Sequence, residues 1–289
     1  MDWKPDWGLR GRMVLTMFLL FALYIVFVGA LVYTDSFIVL PFVAVFLFAQ
    51  FFFSDKLALY SMGAKKVSED EYPELHATIS RLSQQADLPK PKIAVVDSRV
   101  PNAFATGRSQ NNAAICVTTG LMRMLDSDEL EGVLAHELAH VKNRDVMVMT
   151  IASFLSTVAF MIVRWGFWFG GGNRDRQGGG IIAAIAVSLV VWIVSFVLIR
   201  ALSRYREYAA DRGAAVITGQ PSALASALMK ISGRMDKVPQ DDLREQSEMN
   251  AFFIIPIKSD FIGRVFSTHP STENRIERLR QLEREMETA

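Results

Sequence analysis

Four apolar runs divide the chain, and the polar stretches between them repeat at helical or strand spacing. Residues 13–33 carry no charge over 21 positions. At about 1.5 Å per residue a helix of that length crosses a hydrocarbon core of about 30 Å. Residues 37–53 are equally apolar, although they include Pro41, and they follow a link of only Thr34, Asp35 and Ser36. The pair predicts a helical hairpin. A cleaved signal peptide is the competing reading of the first run, but the apolar core is long for one and no small-residue cleavage site precedes the second run. Residues 146–163 and 181–199 are two further runs of 18 and 19 residues, joined by "RWGFWFGGGNRDRQGGG". Buried core helices are the alternative for these, since both lie at the lower edge of spanning length. About four transmembrane helices are expected.

Between the hairpins the pattern changes. In "SEDEYPELHATISRLSQQADL", Ser68 and Glu71 stand three apart ahead of Leu75, Ile79 and Leu82, which predicts a capped amphipathic helix. "PKIAVVD", "NAFATG" and "AAICVTTG" are short, β-prone and separated by turn residues, so a small sheet is expected. Asp126 and Glu129 repeat the cap pattern before Leu130, Val133, Leu134, Leu138 and Val141, a second amphipathic helix. Helical patterns return at residues 205–217 and 222–235. A last helix, covered by mixed charge, begins near Pro270. The organisation that follows is a spanning pair at 1–55, a first soluble part at 56–145, a second hairpin at 146–199 and a second soluble part at 200–289.

Composition agrees with a chain partly in lipid: 51% of its 289 residues are hydrophobic. A formal net charge of +1 and the lack of a Lys/Arg block set nucleic-acid partners aside. Cys116 is the one cysteine, so no intramolecular disulfide forms and no oxidising compartment is needed. Near the predicted spans, eleven Lys and Arg residues from Lys4 to Arg206 fall on one side, against Arg164, Arg174 and Arg176 on the other. By this bias both termini and the soluble parts face the cytoplasm.

Two of the four histidines lie in "HELAHVKNRD", on the second amphipathic helix. Four residues apart, His136 and His140 share a helix face and can turn imidazole nitrogens to one Zn²⁺, while Glu137 is placed to take a proton from an activated water. Coincidence is the competing reading, and at this chain's composition it arises about 0.003 times. Catalytic zinc sites use three protein ligands, and no third histidine follows closely. Glu207 in "REYAAD" is the best carboxylate candidate. Asp211, four residues on, can orient a zinc-bound imidazole. The spacing itself does not choose between this and a solvated helix face. If the helices run unbroken, His140 lies about 9 Å before the third span and Glu207 about 12 Å after the fourth, at one depth.

These motifs, in the order paired spans, "NAFATG", "ICVTTGL", "HELAHVKNRD", paired spans, "EYAAD", "THPSTENRI", resemble the HtpX-type membrane zinc metalloproteases, a gluzincin-like family distantly related to the CAAX prenyl peptidases. The resemblance covers nearly the whole chain. It implies an α-helical membrane protein with a mainly α (α+β) cytoplasmic zinc-peptidase domain containing a small β-sheet. It further implies one Zn²⁺ per chain on His136, His140 and Glu207, Glu137 as general base and Asp211 behind a ligand. His269 and Arg275 are singled out by the same resemblance as groups near an oxyanion; a turn histidine and a surface arginine are the plain alternatives. Residues 102–107 with 113–118 can form a hairpin whose edge takes an extended substrate along Asn102, Ala103, Phe104 and Ala105, or a purely structural sheet. His76 reads as a helix surface or packing residue, and Cys116 as a core residue without a base beside it.

The expected activity is peptide-bond hydrolysis of membrane or misfolded proteins at the cell membrane, with a quality-control role implied by the resemblance. A prenyl-protein peptidase and a non-catalytic membrane scaffold are the rivals. The sequence assigns no oligomeric state.

Overall fold

The computed structural model describes residues 7–33, 39–169, 178–235 and 270–288. Its described residues fall into two compact units, one drawn from Phe53–Val146 and Arg206–Ala289, the other from Pro5–Phe52 and Met147–Tyr205.

The first unit is built on a four-stranded sheet: β1 (Lys65–Lys66), β2 (Lys92–Val96), β3 (Ala103–Thr106) and β4 (Ala114–Thr118), in the order β1-β2-β4-β3. The β2–β4 pair is parallel and the outer pairs are antiparallel. Successive side chains on a strand face opposite ways, and here both faces are apolar, as a parallel pair requires. Ile93, Val95, Ile115 and Val117 enter the main core. Ala94, Val96, Phe104 and Cys116 pack against Ala58 and Leu59 of a short helix, α3 (Ser54–Ser61), and against Met62, its C-cap residue. Burial pushes the Cys116 thiol up to about 12, the behaviour of a core residue.

The main core joins the sheet to α4 (Pro73–Gln85), α5 (Thr119–Met124), α6 (Ser127–Lys142), α9 (Pro221–Met235) and α10 (Thr272–Glu287). The α6 capping box forms as expected: Asp126 accepts from the Glu129 N–H, and Glu129 accepts from the Asp126 N–H. The earlier pattern forms a different object. Ser68 does bond Glu71, but α4 begins four residues after Ser68's own next neighbour, at Pro73 with Tyr72 as its cap residue. The proline ring is preorganised for the first helical position and sets the start. His76 is a packing residue, its Nε2 against the Val67 carbonyl.

Helix α6 lies close to α9 because Gly132 faces Leu224. A Cβ at 132 would sit 2.9 Å from the Leu224 nitrogen and 3.1 Å from its Cα. Backbone cannot yield as a side chain tip does, so Gly132→Ala is expected to destabilise the unit by about 1–3 kcal/mol. Thermal unfolding in detergent checks this; an unchanged midpoint would mean that the two helices part freely.

The second unit holds α1 (Trp7–Tyr33), α2 (Val39–Phe52), most of α7 (Asp145–Phe169) and the first part of α8 (Gly178–Thr218). Apolar side chains such as Phe18, Phe21, Ile25, Val190 and Val197 are exposed, as lipid-facing residues are. Buried polar groups are satisfied inside: the Tyr24 hydroxyl donates to the Ala152 carbonyl at 2.6 Å, and the Ser195 hydroxyl to the Val191 carbonyl. Among the described residues two helices are long and apolar enough to cross a membrane, Trp7–Tyr33 and Ile185–Thr218. Asp145–Phe154 with Ser156–Arg164, bent by 41°, makes a third if it acts as one span. Ser153 and Thr157 return their hydroxyls to carbonyls four residues back, a known cause of helix bending. About four were expected, and the described residues account for two or three of them. Helix α2, the remaining one, has 14 described residues that extend about 21 Å.

The expectation of unbroken helices holds for α8, which runs from the fourth apolar run through Glu207 and Asp211. It fails beyond His140. Helix α6 ends at Lys142, Arg144 takes a left-handed φ of 55°, and α7 starts afresh at Asp145. A non-glycine residue there costs about 1–2 kcal/mol.

Candidate metal centre

Helix α6 places His136 and His140 one turn apart, with their Nε2 atoms 3.1 Å from each other. From α8, Glu207 brings Oε1 to 3.5 Å of His140 Nε2 and Oε2 to 3.7 Å of His136 Nε2. These three residues form the one group of metal-capable side chains found among the described residues. His136 and Glu207 are buried, whereas the His140 side chain keeps 17% exposure and marks the open side.

The donor set fits a small cation. Each imidazole has its other nitrogen on a carboxylate: His136 Nδ1 is 3.0 Å from Asp211 Oδ1, and His140 Nδ1 is 2.5 Å from Asp145 Oδ2. With Nδ1–H donated outward, both Nε2 lone pairs turn inward toward one another, an arrangement that repels unless a positive charge lies between them. Donor separations of 3.1–3.7 Å bracket the edge of a tetrahedron with metal–nitrogen bonds near 2.0 Å, about 3.3 Å. The electrostatics agree. Burial opposes charge on His140, yet Asp145 and Glu207 outweigh it and raise its proton affinity to about 10. A field that would retain a proton there also retains a cation.

Glu137 sits beside this cluster, with the Ala105 N–H of β3 donating to its Oε2 at 2.8 Å. Burial pushes its carboxyl up, against the lowering by the two imidazoles and the amide. Such a shift toward neutrality suits a general base. Arg275, fully buried on α10, donates from Nε and Nη2 to the two oxygens of Asp211 at 2.9 and 2.6 Å, and its Nη1 lies 3.4 Å from Glu207. Burial opposes ionisation of Asp211, but Arg275 and His136 hold its carboxyl below the usual range.

The expected residues thus divide. His136, His140, Glu137, Glu207, Asp211 and Arg275 converge, and Arg275 is a buried clamp on Asp211, not a surface arginine. His269 lies outside the described residues. Strand β3 is the sheet edge. The Thr118 N–H donates to the Asn102 carbonyl, so with period two Phe104 also faces β4 while Ala103 and Ala105 turn their main chain outward. The Phe104 side chain lies in the α3 core. Sequence reading missed Asp145 and Arg206, whose Nε lies 2.9 Å from Asp145 Oδ1.

A family model described as Peptidase family M48 matches residues 69–283, most of the chain and every residue of this cluster. The chain belongs to peptidase family M48. As an M48 member it is a metallopeptidase that hydrolyses peptide bonds, and its apolar helices make it a membrane protein. It is 61% identical over 98% of both chains to a protein named Protease HtpX homolog 2 from Methanosarcina mazei. It is 55% identical to Protease HtpX homolog from Moorella thermoacetica, over 98% of this chain and 97% of that one. Among solved structures, S. mikatae Ste24p shares its fold with a TM-score of 0.56 at 18% identity, over 89% of this chain and 62% of that chain. The M48 chain thus spans under two thirds of the Ste24p length. The HtpX-type relatives favour neither the prenyl-peptidase nor the scaffold reading.

Proposed function

We propose that this M48 protein is a zinc endopeptidase of the cell membrane, cutting membrane or misfolded proteins as part of protein quality control. One Zn²⁺ per chain is held by His136, His140 and Glu207. Residues 56–145 and 200–289 are the two halves of a cytoplasmic peptidase domain, and 1–55 and 146–199 are its membrane anchors. The carrying observation is the convergence of two imidazoles and a buried base from α6 with one carboxylate from α8. The positive charge bias supports the cytoplasmic orientation.

Zinc, when bound, supplies Lewis acidity toward a peptide carbonyl and toward water. Glu137 takes the proton of the attacking water and passes it to the leaving amine. The Ala105 amide fixes one Glu137 oxygen and leaves the other to move the proton. Asp211 holds the His136 tautomer. Arg275 sets a fixed positive field that favours the oxyanion, with His269 proposed as its direct hydrogen-bond donor. The outward main chain of Ala103 and the Ala105 carbonyl receive an extended peptide, and Asn102 and Phe104 anchor that edge from behind.

Elemental analysis and casein cleavage in detergent test this reading. One zinc per chain is expected, with cleavage abolished by a chelator and restored by Zn²⁺, and Glu207→Ala is expected to lose both zinc and cleavage. A protein without zinc that stays inactive after zinc is added back would be a scaffold.

A further inference from the structure

Each histidine of the cluster is backed by a carboxylate that is itself held by an arginine. On one side the relay is His136, Asp211, Arg275. On the other it is His140, Asp145, Arg206. The second relay has no counterpart in the spacing of the motif, because it exists only through the helix break at Arg144. Had α6 continued, Asp145, five residues after His140, would lie about 140° around the helix from it. The left-handed turn at Arg144 instead starts α7 at Asp145 and returns the carboxylate to His140.

We propose that Asp145 and Arg206 are a positioning pair that completes the metal centre, an inference that rests on the metallopeptidase reading. One Asp145 oxygen fixes the His140 Nδ1–H and so presents Nε2 to the metal. The other oxygen pairs with Arg206, the residue immediately before Glu207 on α8. The two residues are 4% and 7% exposed, so the pair acts where solvent screens it little. It therefore joins the second ligand to the third, across the starting turn of α7 and the continuous helix α8.

A plain structural role for Asp145, as an acidic residue stabilising the start of α7, predicts lower stability with unchanged metal affinity. The full-length protein in detergent distinguishes the two. Zn²⁺ affinity is measured by competition with a chromogenic chelator for wild type, Asp145→Ala, Asp145→Asn, Arg206→Met and His136→Ala, each accepted only with a cooperative metal-free thermal transition. Asp145→Ala is expected to weaken Zn²⁺ binding by about 10–100-fold, as loss of a partner behind a metal-bound histidine does elsewhere. Asp145→Asn, which keeps the side-chain size, is expected to lose less. Arg206→Met touches neither histidine and is expected to weaken binding about 10-fold. With Co²⁺ in place of Zn²⁺, the same variants are expected to change the visible absorption that reports ligand geometry.

Affinities within twofold of wild type for Asp145→Asn and Arg206→Met, with His136→Ala losing the metal, would overturn the positioning pair alone. If His136→Ala also bound Zn²⁺ like wild type, the metal-centre reading itself would fall and take the pair with it.

Discussion

Glu137→Gln is expected to bind zinc as wild type does and to cleave casein about 10²–10⁴-fold more slowly. The two side chains have the same shape, and a glutamine carbonyl can still accept the Ala105 N–H that holds Glu137 Oε2. Neither the edge strand nor the three metal-capable residues loses a partner. The carboxylate basicity is what disappears, and with it the group that moves the proton. The loss should therefore fall on kcat, with KM changed little. Zinc content measured on the same preparation separates a missing base from a missing metal. Wild-type turnover by the variant would remove Glu137 from the mechanism.

Arg275→Ala is expected to destabilise the soluble unit by about 3–5 kcal/mol, because it leaves carboxylates buried without their cation. Asp211 loses two charge-assisted bonds, at 2.6 and 2.9 Å, and Glu207 loses a guanidinium 3.4 Å away. Arg275→Lys should recover only part of this, since an ammonium cannot offer two parallel N–H groups to one carboxylate. The sign with pH follows from Asp211. Its carboxyl lies below the unfolded value in the native protein, so its contribution is present above an unfolded pKa of about 3.9 and is lost as the pH falls through the folded value. Without Arg275, burial dominates and the carboxyl rises. The acid-unfolding midpoint of Arg275→Ala should then move to higher pH than that of wild type. Equal midpoints and a stability change under about 1 kcal/mol would show that the guanidinium balances nothing.

How much of this was legible from the chain depended on whether a contact was local. His136, Glu137 and His140 lie within a single helical turn, so period alone puts them together. Asp126 and Glu129 were readable for the same reason. Glu207 and Asp211 reach α6 only through tertiary packing; spacing offered them as a pair on one face, and the family resemblance pointed to the metal. Arg275 was drawn toward the site by that resemblance, but its clamp on Asp211 depends on how α10 packs, which no local pattern encodes. Asp145 and Arg206 escaped altogether. Breaks in helices are usually signalled by glycine or proline, and here the left-handed residue is Arg144, held there against its own preference. At α4 the misleading signal was the reverse: Ser68 and Glu71 make the bonds of a cap, but the helix waits for Pro73.

Cys116, sealed between the sheet and α3 with its thiol pushed up to about 12, has a practical corollary. It is the native thiol of a 289-residue membrane protein, and in the folded state it offers maleimides almost no thiolate to attack. A reporter cysteine placed on any exposed loop becomes the sole reactive handle without altering the wild-type core. Spin labels, fluorophores and membrane-impermeant probes can then be attached one position at a time, on a background that is already silent.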